Sequence, residues 1–187
     1  MINSKAYIGI DNGLDGGIVA LDGEGAVTFK SKMPVNKTGK GREIDVQGFA
    51  AIVEQLSPHA VFISPLAVSI VEQLSPHAVF IVEQASKHSP GKMALCSTWH
   101  SFACMTTTLK LLKVQWDLVQ PQKWQKAFWA RPKMPKGQKF DTKAAALVAA
   151  KRIWPCEEWL ASDRCKIAHN GMVDAALIAE HARRAGI

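Results

Sequence analysis

The stretch Tyr7-Ile8-Gly9-Ile10-Asp11-Asn12-Gly13-Leu14-Asp15-Gly16-Gly17 constrains the fold more than any other. It reads as a short apolar strand that delivers one carboxylate, Asp11, at its end. Asn12-Gly13 and Gly16-Gly17 supply turn chemistry before a second apolar run, Ile18 to Leu21. Charges are depleted in strands because a half-buried pleated surface is a poor place for them. An acid directly before a glycine-rich turn therefore suggests a place where a cation or a phosphate approaches the backbone. The plainer alternative is that Asp11 only starts the turn.

Ala26 to Lys30 alternates enough to be a third strand, so the chain opens with an antiparallel meander. Residues 31 to 43 are polar, basic and glycine-bearing and are expected to form a loop. Asp45 to Leu56 has a capping Asp and an apolar face of Phe49, Ile52, Val53 and Leu56, the pattern of a helix. The segment Ile-Val-Glu-Gln-Leu-Ser-Pro-His-Ala-Val-Phe-Ile then occurs twice, at residues 52 to 63 and 70 to 81, an offset of 18 residues. Two copies at so short a period are a local duplication, not a solenoid. The first copy runs into Ser64-Pro65, which opposes strand pairing. The second runs into Val82-Glu83, again an apolar strand with an acid at its tip. Glu83 is therefore the candidate functional acid, ahead of Glu54 and Glu72 in helical contexts.

Further on, the pattern predicts a helix over 97–113 with Leu109, Leu111 and Leu112 packing. A strand at Gln115 to Val119 and a short helix over 122–129 opened by Pro121 follow. Asp141 to Ile153 has an Asp cap, an alanine-rich body and Lys151 and Arg152 in its last turn. After an irregular link, a last helix over 171–184 carries Met172, Ala175, Ala176 and Ala179 on one face. Strands alternating with helices after Asp45 add parallel strands to the meander.

With 187 residues, 48% of them apolar and 21% charged, the chain has the size and composition of one globular domain spanning 1–187. No apolar run is long enough to span a bilayer, and the N-terminus lacks a signal-peptide pattern. Cys96, Cys104, Cys156 and Cys165 include no CxxC pair and are expected to be reduced thiols of a cytoplasmic protein. A net charge of +7 points to an anionic partner, nucleic acid first. One basic stretch holds Lys30, Lys32, Lys37, Lys40 and Arg42. Another holds Lys123, Lys126, Arg131, Lys133, Lys136, Lys139 and Lys143, interleaved with Trp124, Phe128, Trp129 and Phe140. Lys and Arg would contact phosphates and the rings would stack on unpaired bases, unless those rings belong to the core.

The final helix opens His169-Asn170-Gly171-Met172-Val173-Asp174. Positions 170 and 174 are four apart, so both side chains would face one point if the helix starts near Asn170. The order of strand acid, second strand acid and terminal-helix acid resembles a RuvC-type Holliday-junction resolvase of the ribonuclease H-like superfamily, in its phage-type pattern. The resemblance rests on Ile8 to Gly13, Val82-Glu83-Gln84, Pro121 to Lys126, Asp141-Thr142-Lys143 and His169 to Glu180, and spans nearly the whole chain.

That resemblance implies an α/β fold: a ribonuclease H-like mixed five-stranded sheet, three strands antiparallel and two parallel, flanked by helices. It implies a homodimer that nicks opposing strands of a four-way DNA junction symmetrically, leaving 5′-phosphate and 3′-hydroxyl ends, in the host cytoplasm if phage-encoded. It implies two Mg²⁺ ions per active site, about 3.5–4 Å apart, with Mn²⁺ as a substitute. Asp11 would bridge them, and Glu83, Asp174 and position 170 would complete the catalytic and metal-binding set. Phage-type members carry Asp where this chain has Asn170. Either the natural protein differs here, or the chain is altered to bind junctions without cutting them. The second is the expectation, because Asp→Asn is the smallest change that weakens a metal site. His169 is a substitute ligand or base. Lys143 and Lys139 are the candidates for phosphate contact beside the scissile bond. Rival readings are a ribonuclease H-fold nuclease on other branched DNA or RNA-containing duplexes, an actin-like or sugar-kinase fold, and a noncatalytic junction-binding protein.

Overall fold

Strand alternation in the first and sixth strands decides where everything else packs. The computed structural model describes residues 5–39, 41–57, 78–85, 91–135 and 137–187. In chain order these residues form β1 (Ala6–Ile10), β2 (Gly17–Leu21), β3 (Val27–Lys32), β4 (Val35–Thr38), β5 (Gly41–Ile44), α1 (Val46–Leu56), β6 (Ala78–Glu83), α2 (Lys92–Leu111), β7 (Gln115–Val119), α3 (Pro121–Phe128), α4 (Thr142–Ile153) and α5 (Asn170–Ala185). The main sheet runs β3-β2-β1-β6-β7, with β1, β2 and β3 antiparallel and β6 and β7 added parallel. This is the mixed five-stranded sheet flanked by helices that the sequence implies.

The two faces bury separate cores. Tyr7, Val19, Leu21, Val79 and Ile81 join α3, α4 and α5 on one side. Ile8, Ile10, Ile18, Phe80 and Val82 join Phe49 and Val53 of α1 and Met105 and Leu109 of α2 on the other. Because side chains alternate along a strand, odd positions of β1 and β6 all face α5. That helix lies directly on sheet backbone. A Cβ on Gly9 would collide with the Ala175 carbonyl oxygen and come within 2.6 Å of the Ala179 nitrogen, and one on Gly17 would come within 2.7 Å of the Met172 nitrogen. A main-chain bridge between Gly16 and Gly171 marks the same close approach.

Residues 31 to 43, expected to be a loop, are largely strand. β3 continues to Lys32, and β4 pairs with β5 in a separate ribbon, Val35 opposite Ile44 and Lys37 opposite Arg42. The ribbon is held by backbone bonds while its side chains are mostly exposed, so no hydrophobic alternation betrays it. The helix expected over 97–113 begins instead at Lys92, and Leu111 is 76% exposed rather than packed. Its buried face includes Ser101, Thr106 and Thr108, and both threonines donate their hydroxyls to carbonyls one turn back, at 2.9 Å. Polar residues satisfied in this way hide the apolar stripe. The other helices sit within a residue or two of expectation, with Asp45 and Asp141 capping α1 and α4. The duplicated segment lies mostly outside the described residues, as do Glu72 and the Ser64-Pro65 break. No helix among the described residues is long and apolar enough to cross a membrane, and all four cysteines are free.

The seating of α5 makes a direct prediction. Gly9→Ala should destabilise the protein by about 2 kcal/mol or more, because backbone cannot move aside as a side chain can. That is a fall of roughly 4–8 °C in Tm for a chain of this size. Gly39→Ala, where an added Cβ meets nothing within 4 Å, should change stability by no more than about 1 kcal/mol. Thermal unfolding of both variants checks the contrast.

Candidate active site

Asp11 and Glu83 leave the sheet at the same edge. The Asp11 amide still donates to the Gly17 carbonyl at 3.0 Å, so β1 geometry extends through Asp11. By alternation its carboxyl joins the face of Tyr7 and Gly9. Glu83 ends β6 on the face of Val79 and Ile81, in a parallel register that sets Ile10 beside Val82. Adjacent strands are about 4.8 Å apart, so the two carboxyls are neighbours. Above them runs α5, whose Asp174 immediately precedes the residue that touches Gly9.

The electrostatics show the three acids sensing one another. Burial, then the charges of Glu83 and Asp174, push the Asp11 carboxyl well above the usual carboxylate range. Burial raises Glu83, against hydrogen bonds from Trp124 and Asp11 that lower it. Asp174 is pushed up to about 7, by burial first and by the Glu83 charge second. Asp11 and Glu83 lie close enough for each to move the other's titration, and the Glu83 charge makes Asp11 the harder of the two to ionise. The cation that offsets this crowd is Lys143 in the first turn of α4, which pulls both Asp11 and Asp174 downward.

Asn170 is the first residue of α5, one turn before Asp174 and exposed. Helix geometry therefore puts it on the side of Asp174, toward solvent. His169 is committed elsewhere. It caps α5, its Nδ1 accepting the Met172 amide at 3.3 Å, and burial followed by the Lys32 charge lowers its pKa. The neutral ring then carries its proton on Nε2, so serving as a metal ligand or base there would require losing the cap or changing tautomer.

Lys123, Lys126, Arg131, Lys133, Lys139 and Lys143 are all exposed, and Lys136 lies outside the described residues. The rings among them divide. Trp124 and Phe128 are buried in the core, so they do not stack on bases. Trp129 and Phe140 are half-buried and line a groove with Lys139 and Arg152. The earlier basic stretch is partly neutralised within the fold. Lys30 pairs with Glu157 at 2.7 Å, and Arg42 clasps Asp15 at 2.8 and 3.2 Å; Lys40 lies outside the described residues.

One participant escaped the sequence reading. The indole Nε1 of Trp124 donates to Glu83 Oε1 at 2.9 Å. The sequence carries no signal for it, because the bond depends on the β6–β7 register that sets Val119 opposite Glu83, with Trp124 one turn beyond Pro121.

The donor set is all oxygen, which suits Mg²⁺ or Mn²⁺ and not a soft metal. Among the described residues no group of three or more His, Cys, Asp or Glu side chains is placed to hold a metal ion by itself. Mg²⁺ does not need such a group, since it binds through one or two carboxylates, waters and substrate phosphates. Three mutually repelling acids with raised pKa values fit a divalent cation, which would relieve the repulsion.

No family model matches the chain, and no curated protein matches it. Among solved structures, the chain is similar to T. thermophilus RuvC in complex with a Holliday junction substrate, at 11% identity and a TM-score of 0.51, over 97% of this chain and 96% of that one. A Thermus thermophilus RuvC structure aligns over the same shares at 14% identity and a TM-score of 0.49. The first of these shows the fold: this chain has the RuvC-type, ribonuclease H-like architecture.

The acids should carry a measurable cost in metal-free protein. Between pH 3.8 and about 7 folded Asp174 keeps a proton that the unfolded chain has released, so it costs stability as pH rises through that window. Asp174→Asn should match the unmutated protein near pH 4 and exceed it at pH 8. The gain should be about 1–3 kcal/mol, below the full linkage value because the group keeps some solvent access. Tm values measured in chelator at both pH values check this.

Proposed function

We propose that this chain is a structure-selective endonuclease that resolves four-way DNA junctions, acting in the cytoplasm as a homodimer. The observation that carries the reading is the convergence of Asp11, Glu83 and Asp174, from two adjacent strand ends and one helix, on a single sheet face. A site of crowded carboxyls, which a cation would let ionise, beside exposed lysines suits a substrate whose phosphates arrive with cations. Divalent cations held by these carboxylates would polarise the scissile phosphate and offset the charge that develops on it. Lys143 draws the phosphate toward the acids, and Lys123, Lys126, Arg131, Lys133, Lys136 and Lys139 hold the flanking backbone. Phosphate contacts of this kind position DNA without reading its sequence. A two-fold enzyme meets equivalent strands of a two-fold junction, and the similar T. thermophilus protein was captured on a Holliday junction substrate. Asn170 keeps the shape of an acid at the mouth of the site but lacks its charge, so this chain binds junctions well and cuts them slowly.

Asn170→Asp should raise Mg²⁺-dependent cleavage of a synthetic four-way junction about tenfold or more. The cuts should be symmetric nicks near the branch, with 5′-phosphate ends. Adding Asp11→Asn should abolish cleavage and leave junction binding intact. Flaps, forks and RNA–DNA hybrids in the same panel separate this reading from other ribonuclease H-fold nucleases. If Asn170→Asp gives no metal-dependent cleavage on any of these substrates, the protein is a junction-binding module.

A further inference from the structure

We propose that Trp124 is a positioning residue for Glu83, holding that carboxylate in the orientation in which it receives a divalent cation. The proposal rests on the nuclease reading above and deepens it. It stands on a buried hydrogen bond, Nε1 to Oε1 at 2.9 Å, made by a side chain only 1% exposed. An indole N–H can only donate, so it engages one carboxylate oxygen without competing for a cation. The other oxygen stays free for Asp11 or for the metal.

The chain path explains why the partner is Trp124. Val119 closes β7 opposite Glu83, and the Gln84 amide donates to the Val119 carbonyl at 2.8 Å, tying the two strand ends together. Pro121 then starts α3 at once, and one turn of helix returns residue 124 over the end of β6. The ring cannot drift. It packs edge-on to Trp129, centroids 5.6 Å apart at 89°, inside the core that α4 and α5 complete. A glutamate at a strand end has three rotatable bonds, and each orientation lost to thermal motion weakens a metal site. Ligating carboxylates are themselves hydrogen-bonded for this reason, and removing such an outer partner costs about 10–100-fold in metal affinity.

Trp124→Phe keeps an aromatic ring against Trp129 and deletes the donor. The test is a titration of the full chain with Mn²⁺, counting free ion by electron paramagnetic resonance, so no turnover is needed. The Mn²⁺ dissociation constant should rise about 10–100-fold. In the Asn170→Asp background the Mg²⁺ concentration for half-maximal cleavage should rise by a similar factor, with the rate largely recovered at saturating Mg²⁺. Trp154→Phe is the structural control, since it removes another part-buried indole bond, to the Gly25 carbonyl at 2.8 Å. It should lower Tm and leave Mn²⁺ affinity unchanged. Unchanged affinity in Trp124→Phe, or an equal loss in Trp154→Phe, overturns the proposal while the nuclease reading survives. If the unmutated chain binds no Mn²⁺, both fall. Should Trp124→Phe not fold, the Trp124 indole N–H resonance of the unmutated chain decides. Saturating Mg²⁺ should shift it, and a resonance that stays put overturns the proposal.

Discussion

The contact on which the site depends is the seating of α5 against bare backbone at Gly9 and Gly17. A helix that packs on side chains stands about 10 Å from a sheet; one that packs on glycine comes closer. At Gly9 the carbonyl of Ala175 occupies the space where any other residue would place its Cβ. The consequence reaches the candidate site, because Asp174 precedes Ala175. The same close approach that closes the core brings the helix acid down toward the strand ends carrying Asp11 and Glu83. The helix can afford this position because it is buried almost all round, with ten of its sixteen residues enclosed. Its one buried charge on the far side, Glu180, is satisfied by Arg183 and Arg184 at 2.7 Å each.

Glu180 and Asp174 are two acids of one helix in opposite electrostatic settings. Burial raises Glu180, but hydrogen bonds from two guanidiniums outweigh it and hold the carboxyl below its ordinary value. Asp174 has no guanidinium partner among the described residues and goes the other way. Its neighbours are more carboxylates, and one lysine at the rim does not balance three acids. A fold that needed only stability would replace such a cluster. Perturbed titration of this pattern collects at functional sites.

The three acids were legible in the sequence because strands announce themselves by composition and acids at their ends break the pattern. Asp11 and Glu83 both follow apolar runs, and strand parity fixes their common face once the pairing is parallel. The helix carrying Asp174 was legible through its alanines and terminal arginines. What stayed hidden shares one cause: structure maintained by backbone or by satisfied polar groups leaves no apolar rhythm. The β4–β5 ribbon exposes Lys37 and Arg42, and α2 buries threonines, so a loop and a shorter helix were read there. His169 was hidden as a cap because histidine is an uncommon one. By sequence Trp124 is either a ring for unpaired bases or a core residue, and its donor bond to Glu83 depends on a register that only the folded sheet supplies.

The distribution of cations follows the same division between internal and external duty. Two basic stretches are candidates for nucleic acid by sequence, yet in the first of them Lys30 and Arg42 answer Glu157 and Asp15 within the chain. Arg42 in particular ties the exposed ribbon to the glycine turn behind Asp11, so its charge serves the geometry of the site. Positive charge free for an outside partner is concentrated in and around α3 and the start of α4, from Lys123 to Lys143. Those two helices pack on the same sheet face as α5, and one of them supplies Trp124. A phosphate backbone lying along these lysines would therefore run across the face where the acids converge, with Lys143 nearest to them. The excess of lysines and the shortage of cations around the acids are complementary. On the proposed reading the exposed lysines would draw in a polyanion and the half-buried carboxyls would take the metal that lets its phosphate come close.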